Sequence, residues 1–174
     1  MGIVINNEYM KYTLINRHSN INFHDAYVNS VYFQNNNMVW ELAALQATNI
    51  EFPKKREDDY YIKNATMILE NACIEDIFIG GMWQNKNGVM IVLRENRNAS
   101  PDEYDELLEN VSYKNWSYIY GIKDLPTSNE GIYRVSVVTT YEITISFTKS
   151  IVMWNEFAGS EWYHTKHWAN WQPN

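Results

Sequence analysis

Cysteine is nearly absent. Cys73 is the one thiol in 174 residues, so no disulfide can form within the chain. It sits in Ala72-Cys73-Ile74, an apolar setting in which a free thiol is expected to act as a small hydrophobe. Glycine is scarce at 7 and proline at 4, which leaves little material for a nucleotide-binding loop. No phosphate-binding glycine motif, nucleophile elbow or Cys-X-X-Cys pair is present. Positive charge is in short supply as well. Lys and Arg number 14 against 21 Asp and Glu, a net charge of −7, which argues against a phosphate-backbone partner. The one basic cluster, Lys54-Lys55-Arg56, runs directly into Glu57-Asp58-Asp59 and reads as a solvated loop. Long apolar runs are missing: none reaches the roughly 18 residues of a membrane span. Met1 to Asn6 has no basic flank and no extended apolar stretch, so no signal peptide is expected, and the expected compartment is cytoplasmic.

Aromatic residues are what the chain has in quantity, with 13 Tyr and 7 Trp. The length fits one domain spanning 1–174. Asparagine is frequent enough that the Asn-X-Ser/Thr triplets at Asn64, Asn98, Asn110 and Asn115 are expected by chance.

Period-two alternation dominates the pattern. From Ile132 to Phe147 the odd positions Tyr133, Val135, Val137, Thr139, Tyr141, Ile143, Ile145 and Phe147 oppose mostly polar even positions. This predicts one long strand with a core face and a polar face that carries Arg134, Thr140, Glu142 and Thr144. Phe23 to Leu45 reads as a hairpin turning at Asn35-Asn36-Asn37, with a β-bulge at Asn29-Ser30 where the apolar parity changes. Residues 71–94 can be laid on the same plan. Their parity changes between Ile74 and Ile77, a loop runs from Gly80 to Asn87, Asn87-Gly88 turns, and Val89, Ile91 and Leu93 form the return arm. The two segments, 23–45 and 71–94, are either an internal duplication or two amphipathic hairpins of similar design.

Helical signals are few. Ser100-Pro101-Asp102-Glu103 is a capping-box start, with Tyr104, Leu107, Leu108 and Val111 on one face and acidic side chains on the other. A short C-terminal helix is predicted from Glu161 to Trp171, capped by Ser160. The expected fold is therefore mainly β, an antiparallel sandwich or partly open barrel, with one amphipathic helix and a short C-terminal helix.

Chemistry-bearing constellations are sparse. His164 and His167 are spaced to share a helical face and are the only weak metal candidates, with Glu161, His24 or Asp25 as further ligands. The neighbours His24 and Asp25 resemble part of an acid–base pair, but strand geometry would point them to opposite faces. Asp25 is better read as capping or turning the backbone there. No catalytic residue, metal or cofactor is assigned. Trp154, Trp162, Tyr163, Trp168 and Trp171 read as seals over an open end of the sheet, or alternatively as stacking platforms for a carbohydrate or small ligand.

Phe23-His24-Asp25-Ala26 leading into a hairpin resembles the opening of several small bacterial β-rich proteins, some of which accompany polymorphic toxins and are regarded as immunity proteins. The resemblance covers Phe23 to Leu45. It implies a cytoplasmic, non-catalytic binding protein that occupies a protein partner, with neither nucleic acid nor membrane involved. The surface proposed for that partner comprises Asp102, Glu103, Asp105, Glu106, Arg134 and Glu142, because an acidic face suits a basic partner. A carbohydrate-binding domain and a metal-dependent enzyme are the alternative readings.

Overall fold

The computed structural model describes residues 11–47, 60–112, 115 and 117–158. In chain order, the first strands are β1 (Tyr12–Ile15), β2 (Ile21–Asn22), β3 (Ala26–Gln34), β4 (Asn37–Ala47) and β5 (Tyr60–Glu70). Then come β6 (Cys73–Ile79), β7 (Met82–Lys86), β8 (Val89–Arg94) and β9 (Arg97–Asn98). A helical segment follows, a 3-10 turn at Pro101–Glu103 leading into α1 (Tyr104–Asn110). The last strands are β10 (Tyr118–Ile119), β11 (Gly121–Leu125), β12 (Tyr133–Val138), β13 (Glu142–Phe147), β14 (Lys149–Trp154) and β15 (Phe157–Ala158). The basic and acidic run at 54–59 and the predicted helix over 161–171 lie outside the described residues.

All strand pairs are antiparallel. The larger sheet has the order β1-β14-β5-β4-β3-β10, with β15 continuing along β5 and β2 along β4. The second sheet runs β11-β12-β13-β6-β9. The two are open sheets facing each other across a single core, so the sandwich expectation holds and barrel closure does not. Met38, Trp40 and Leu42 of β4 and Met67 and Leu69 of β5 face Val135, Val137, Ile143, Ile145 and Phe147 across it. β4 is buried on both faces, as a central strand covered twice must be. Its outer face places Val39 beside Ile68 and Met153.

The sheets share one ribbon. Ser146 pairs with Cys73 in the second sheet, and Lys149 pairs with Glu70 in the first. The ladder therefore crosses the corner between them without a change of register. Asn71 makes the bend with φ +50°, and its Nδ2 donates to Thr148 Oγ1 at 3.0 Å. The turn at Asn35-Asn36 closes over the same corner, because Ala72 N donates to Asn36 O at 2.9 Å.

Three expectations are corrected. The stretch from Ile132 to Phe147 is not one strand but the hairpin β12–β13, turned at Thr139-Thr140-Tyr141. Thr139 N donates to Tyr141 O at 2.7 Å, and Thr139 Oγ1 accepts from Tyr141 N at 3.2 Å, which fixes a turn without glycine or asparagine. Residues 71–79 do not pair with 89–94. β6 lies between β13 and β9, and β8 returns on β7, which occupies the expected loop. Cys73, finally, is exposed. The bulge expected near Asn29 is present between Val28 and Ser30, and β6 has its own register shift where the parity changed.

Candidate functional site

The expected site residues divide into those the fold uses for itself and those it leaves free. Arg134 reaches across the outer face of the second sheet to Glu75, with Nε 2.9 Å from Oε2, and also donates to Pro126 O at 2.9 Å. The Arg134 guanidinium holds the Glu75 carboxyl below the ordinary carboxylate range. Glu142 accepts from Ser136 Oγ at 2.7 Å. These polar groups tie strands of the second sheet together, with Arg134 half-buried and Glu142 exposed. Glu103 likewise returns the capping-box bond to Ser100 N at 2.8 Å and accepts from Arg97 Nη1 at 2.8 Å. The Arg97 guanidinium, with Ser100 behind it, pulls the Glu103 carboxyl down to about 2. Asp102, Asp105 and Glu106 remain exposed on the helical segment.

His24 and Asp25 do meet, against the strand-based expectation: Nδ1 lies 2.9 Å from Oδ2. Asp25 stands in a turn with φ +65°, which swings its side chain back over its neighbour. The pair is exposed, and Asn22 Oδ1 accepts His24 N at 3.0 Å to complete the turn. The role expected for Asp25 in turning the backbone is what the geometry shows.

Sequence reasoning missed a second histidine constellation. His18 Nε2 is 2.8 Å from Asp124 Oδ1 and His18 Nδ1 is 3.0 Å from Ser150 Oγ. A carboxylate only accepts, so Nε2–H donates to Asp124 and Nδ1 of the neutral ring accepts the Ser150 hydroxyl proton. Ser–His–Asp is the order of a nucleophilic relay, but Ser150 is 1% exposed, so its hydroxyl is closed off from solvent. The row braces the turn at His18–Asn20 against β14 and β11. His18 is more than 100 positions from either partner, so no local spacing could have disclosed it.

Of the aromatic candidates, Trp154 is 1% exposed and stacks on Tyr12 with ring centroids 5.4 Å apart. It is core, which excludes it as a stacking platform and agrees with the sealing role. Trp162, Tyr163, Trp168, Trp171, His164 and His167 lie outside the described residues. No group of His, Cys, Asp and Glu suited to a metal occurs among the described residues.

The feature the molecule leaves free is the arm β7–β8. Ile79 pairs with Arg97, and Met82 pairs with Arg94 in the same register, so the arm prolongs the edge pair β6–β9 beyond the sheet. Between them, side chains take the place of the ladder. Arg94 Nη2 donates to Gly80 O at 2.7 Å, and Asn96 Oδ1 accepts Gly81 N–H. Trp83 folds its ring over Gly81 so closely that a β-carbon there would stand 2.7 Å from Cη2. The stem is therefore locked. At the tip Asn87 and Gly88 supply the positive φ values, +55° and +82°, of a two-residue hairpin turn. The side chains beyond the stem are not used by the core. Met82, Trp83, Val89, Met90, Ile91, Val92 and Leu93 are 39% to 64% exposed. Trp83, Met90 and Val92 share one face of the hairpin, and Val89, Ile91 and Leu93 project from the other. These side chains give the hairpin exposed apolar surface on both faces. The sequence showed the turn and the apolar return arm at 89–93, but nothing in it said that the arm stands off the core.

No helix among the described residues is long and apolar enough to cross a membrane. Comparison of the chain with known protein families, with curated proteins and with solved structures gave no match.

Proposed function

We propose that this chain is a non-catalytic recognition protein that binds another protein, in the manner of an immunity or accessory protein, and that β7–β8 is its contact element. The observation that carries the reading is the run Val89–Leu93, exposed on a stem that Arg94 and Asn96 hold in place. Trp83 is of the residue type most often found at binding hot spots, and the aliphatic side chains around it add contact area. The acidic face of the helical segment, through Asp102, Asp105 and Glu106, adds attraction for a basic partner and acts chiefly on the rate of encounter. The occupied hydrogen bonds of Arg134, Glu142 and Glu103 support a smaller contact surface than the charge pattern suggested.

The test is comparative capture from native cell extract by the intact chain and by Trp83→Ala/Val92→Asp, each checked for folding by circular dichroism. A partner retained by the first and lost at least 10-fold by the second is the expected result, about 1.4 kcal/mol or more at a hot spot. Identical captured sets would remove the arm from the interface.

A further inference from the structure

Which chemistry fits the arm can be read from its backbone. In a hairpin closed by a two-residue turn, Lys86 and Val89 form the first hydrogen-bonded pair, and Gln84 and Ile91 form the next. The N–H and C=O groups of Val89 and Ile91 therefore point inward to β7. Those of Met90 and Val92 point outward, and no other described strand pairs with β8 on that side. The open edge has little of the usual protection: a register shift leaves Leu93 without a partner on β7, at the end of the run far from the turn. It holds five apolar residues in succession with neither proline nor charge among them; the cations Lys86 and Arg94 flank the run, and Arg94 is committed to Gly80.

We propose that this edge pairs antiparallel with the same edge of a second copy of the chain, Ile91 opposite Ile91, so that two arms build one four-stranded sheet. The inference rests on reading the arm as a protein-binding element and assigns its open edge to a second copy, which leaves both faces of the arm and the acidic helical segment to the other partner. Parity selects the register. An outward-pointing residue has to face another outward-pointing residue, which excludes every alignment that sets an even-numbered position against an odd one. Among the alignments left, only centring on Ile91 matches all five apolar residues with apolar partners: Val89 with Leu93, Met90 with Val92, and Ile91 with itself. A run that reads as apolar in both directions about its centre suits a twofold axis, where one patch serves both partners.

The experiment uses the full chain in a Cys73→Ser background, since Cys73 is exposed. Ile91→Cys is expected to cross-link under mild oxidation, because directly opposed residues of a non-hydrogen-bonded pair lie about 4.5 Å apart, within disulfide reach. Met90→Cys and Val92→Cys each face a different residue and should cross-link at least 10-fold more slowly. Light scattering of the parent chain should give twice the 20.6 kDa of one copy. Met90→Pro should return it to one copy with an unchanged circular dichroism spectrum, because it removes an outward N–H and leaves the ladder to β7 whole. A dimer that survives Met90→Pro without cross-linking at Ile91 overturns the proposal by placing the contact elsewhere. A monomer up to the solubility limit also overturns it. In that case, arm-dependent capture of a different protein would leave the protein-binding reading standing, and equal capture by the parent and Met90→Pro would sink both.

Discussion

Ala44 and Asn71 both hold left-handed backbone, φ +63° and +50°, and both do so where the chain changes direction relative to its core. At Ala44 the buried positions of β4 switch from Trp40 and Leu42 to Leu45 and Ala47, and those of β5 switch opposite them, from Ile62 to Ala65 and Met67. An alanine there carries a steric cost that glycine lacks, so Ala44→Gly is expected to raise stability by about 0.5–1 kcal/mol in urea unfolding. A loss of similar size would show that the methyl packs usefully. Asn71 tolerates its angle better and also bonds Thr148, so Asn71→Val should cost ~2 kcal/mol. Glu103 supplies a pH dependence. Its carboxyl is lowered from 4.5 to about 2 by Arg97 and Ser100, so the stabilisation is complete above pH 4.5 and lost as pH falls through 2. The acid limb of a thermal melting series should flatten over that window in Glu103→Gln, and an unchanged limb would contradict the assignment.

At the level of the element, the helical start shows a local signal that was fully legible. Ser100, Pro101 and Glu103 form the capping box their order predicts, and Leu108 and Val111 bury the predicted face. Ser100→Ala should cost about 1 kcal/mol, measured by chemical denaturation, and an unaffected midpoint would show that Pro101 alone sets the start. Turns were legible only in part, for a reason of parity. The two-residue turn at Asn35-Asn36 shifts the core face from odd positions to even ones, so Val31 and Trp40 disclose it. The turn of three residues at Thr139–Tyr141 leaves parity unchanged, and Val135 and Ile145 stay in phase across it. Alternation alone reads such a hairpin as one strand. The stem of the arm gives a further expectation: Gly81→Ala must displace the Trp83 ring, with a change in near-ultraviolet circular dichroism and a redirected arm. A spectrum identical to the parent's would mean that the ring does not hold the stem.

For the molecule as a whole, the class of the fold was legible and its pairing was not. Alternation says which residues face a core. It does not say that β6 lies beside β13, or that β10 and β11 belong to different sheets. The same limit hid the Ser150, His18 and Asp124 row, whose members meet only after three distant segments assemble. It also hid the arm, since the apolar run Val89–Leu93 looks the same on a core strand as on a projecting one. Topology is set by long-range packing, and single-sequence periodicity contains little of it.

The ribbon that turns the corner at Asn71 has a consequence in time. Glu70 and Lys149 are 79 residues apart, and neither sheet is complete until the later strand arrives. At a synthesis rate of about 5–20 residues per second, the meander β3–β4–β5 waits on the order of ten seconds for its missing neighbour. During that wait its buried face, with Trp40, Met67 and Leu69, has nothing to cover it. A nascent chain halted after Ser136 should therefore be cut by protease as an unfolded chain is, and a protected fragment from β3 to β5 would show that half the molecule can stand without the rest. What looks in the finished structure like a single continuous ladder is, to a ribosome, a long interval of vulnerability.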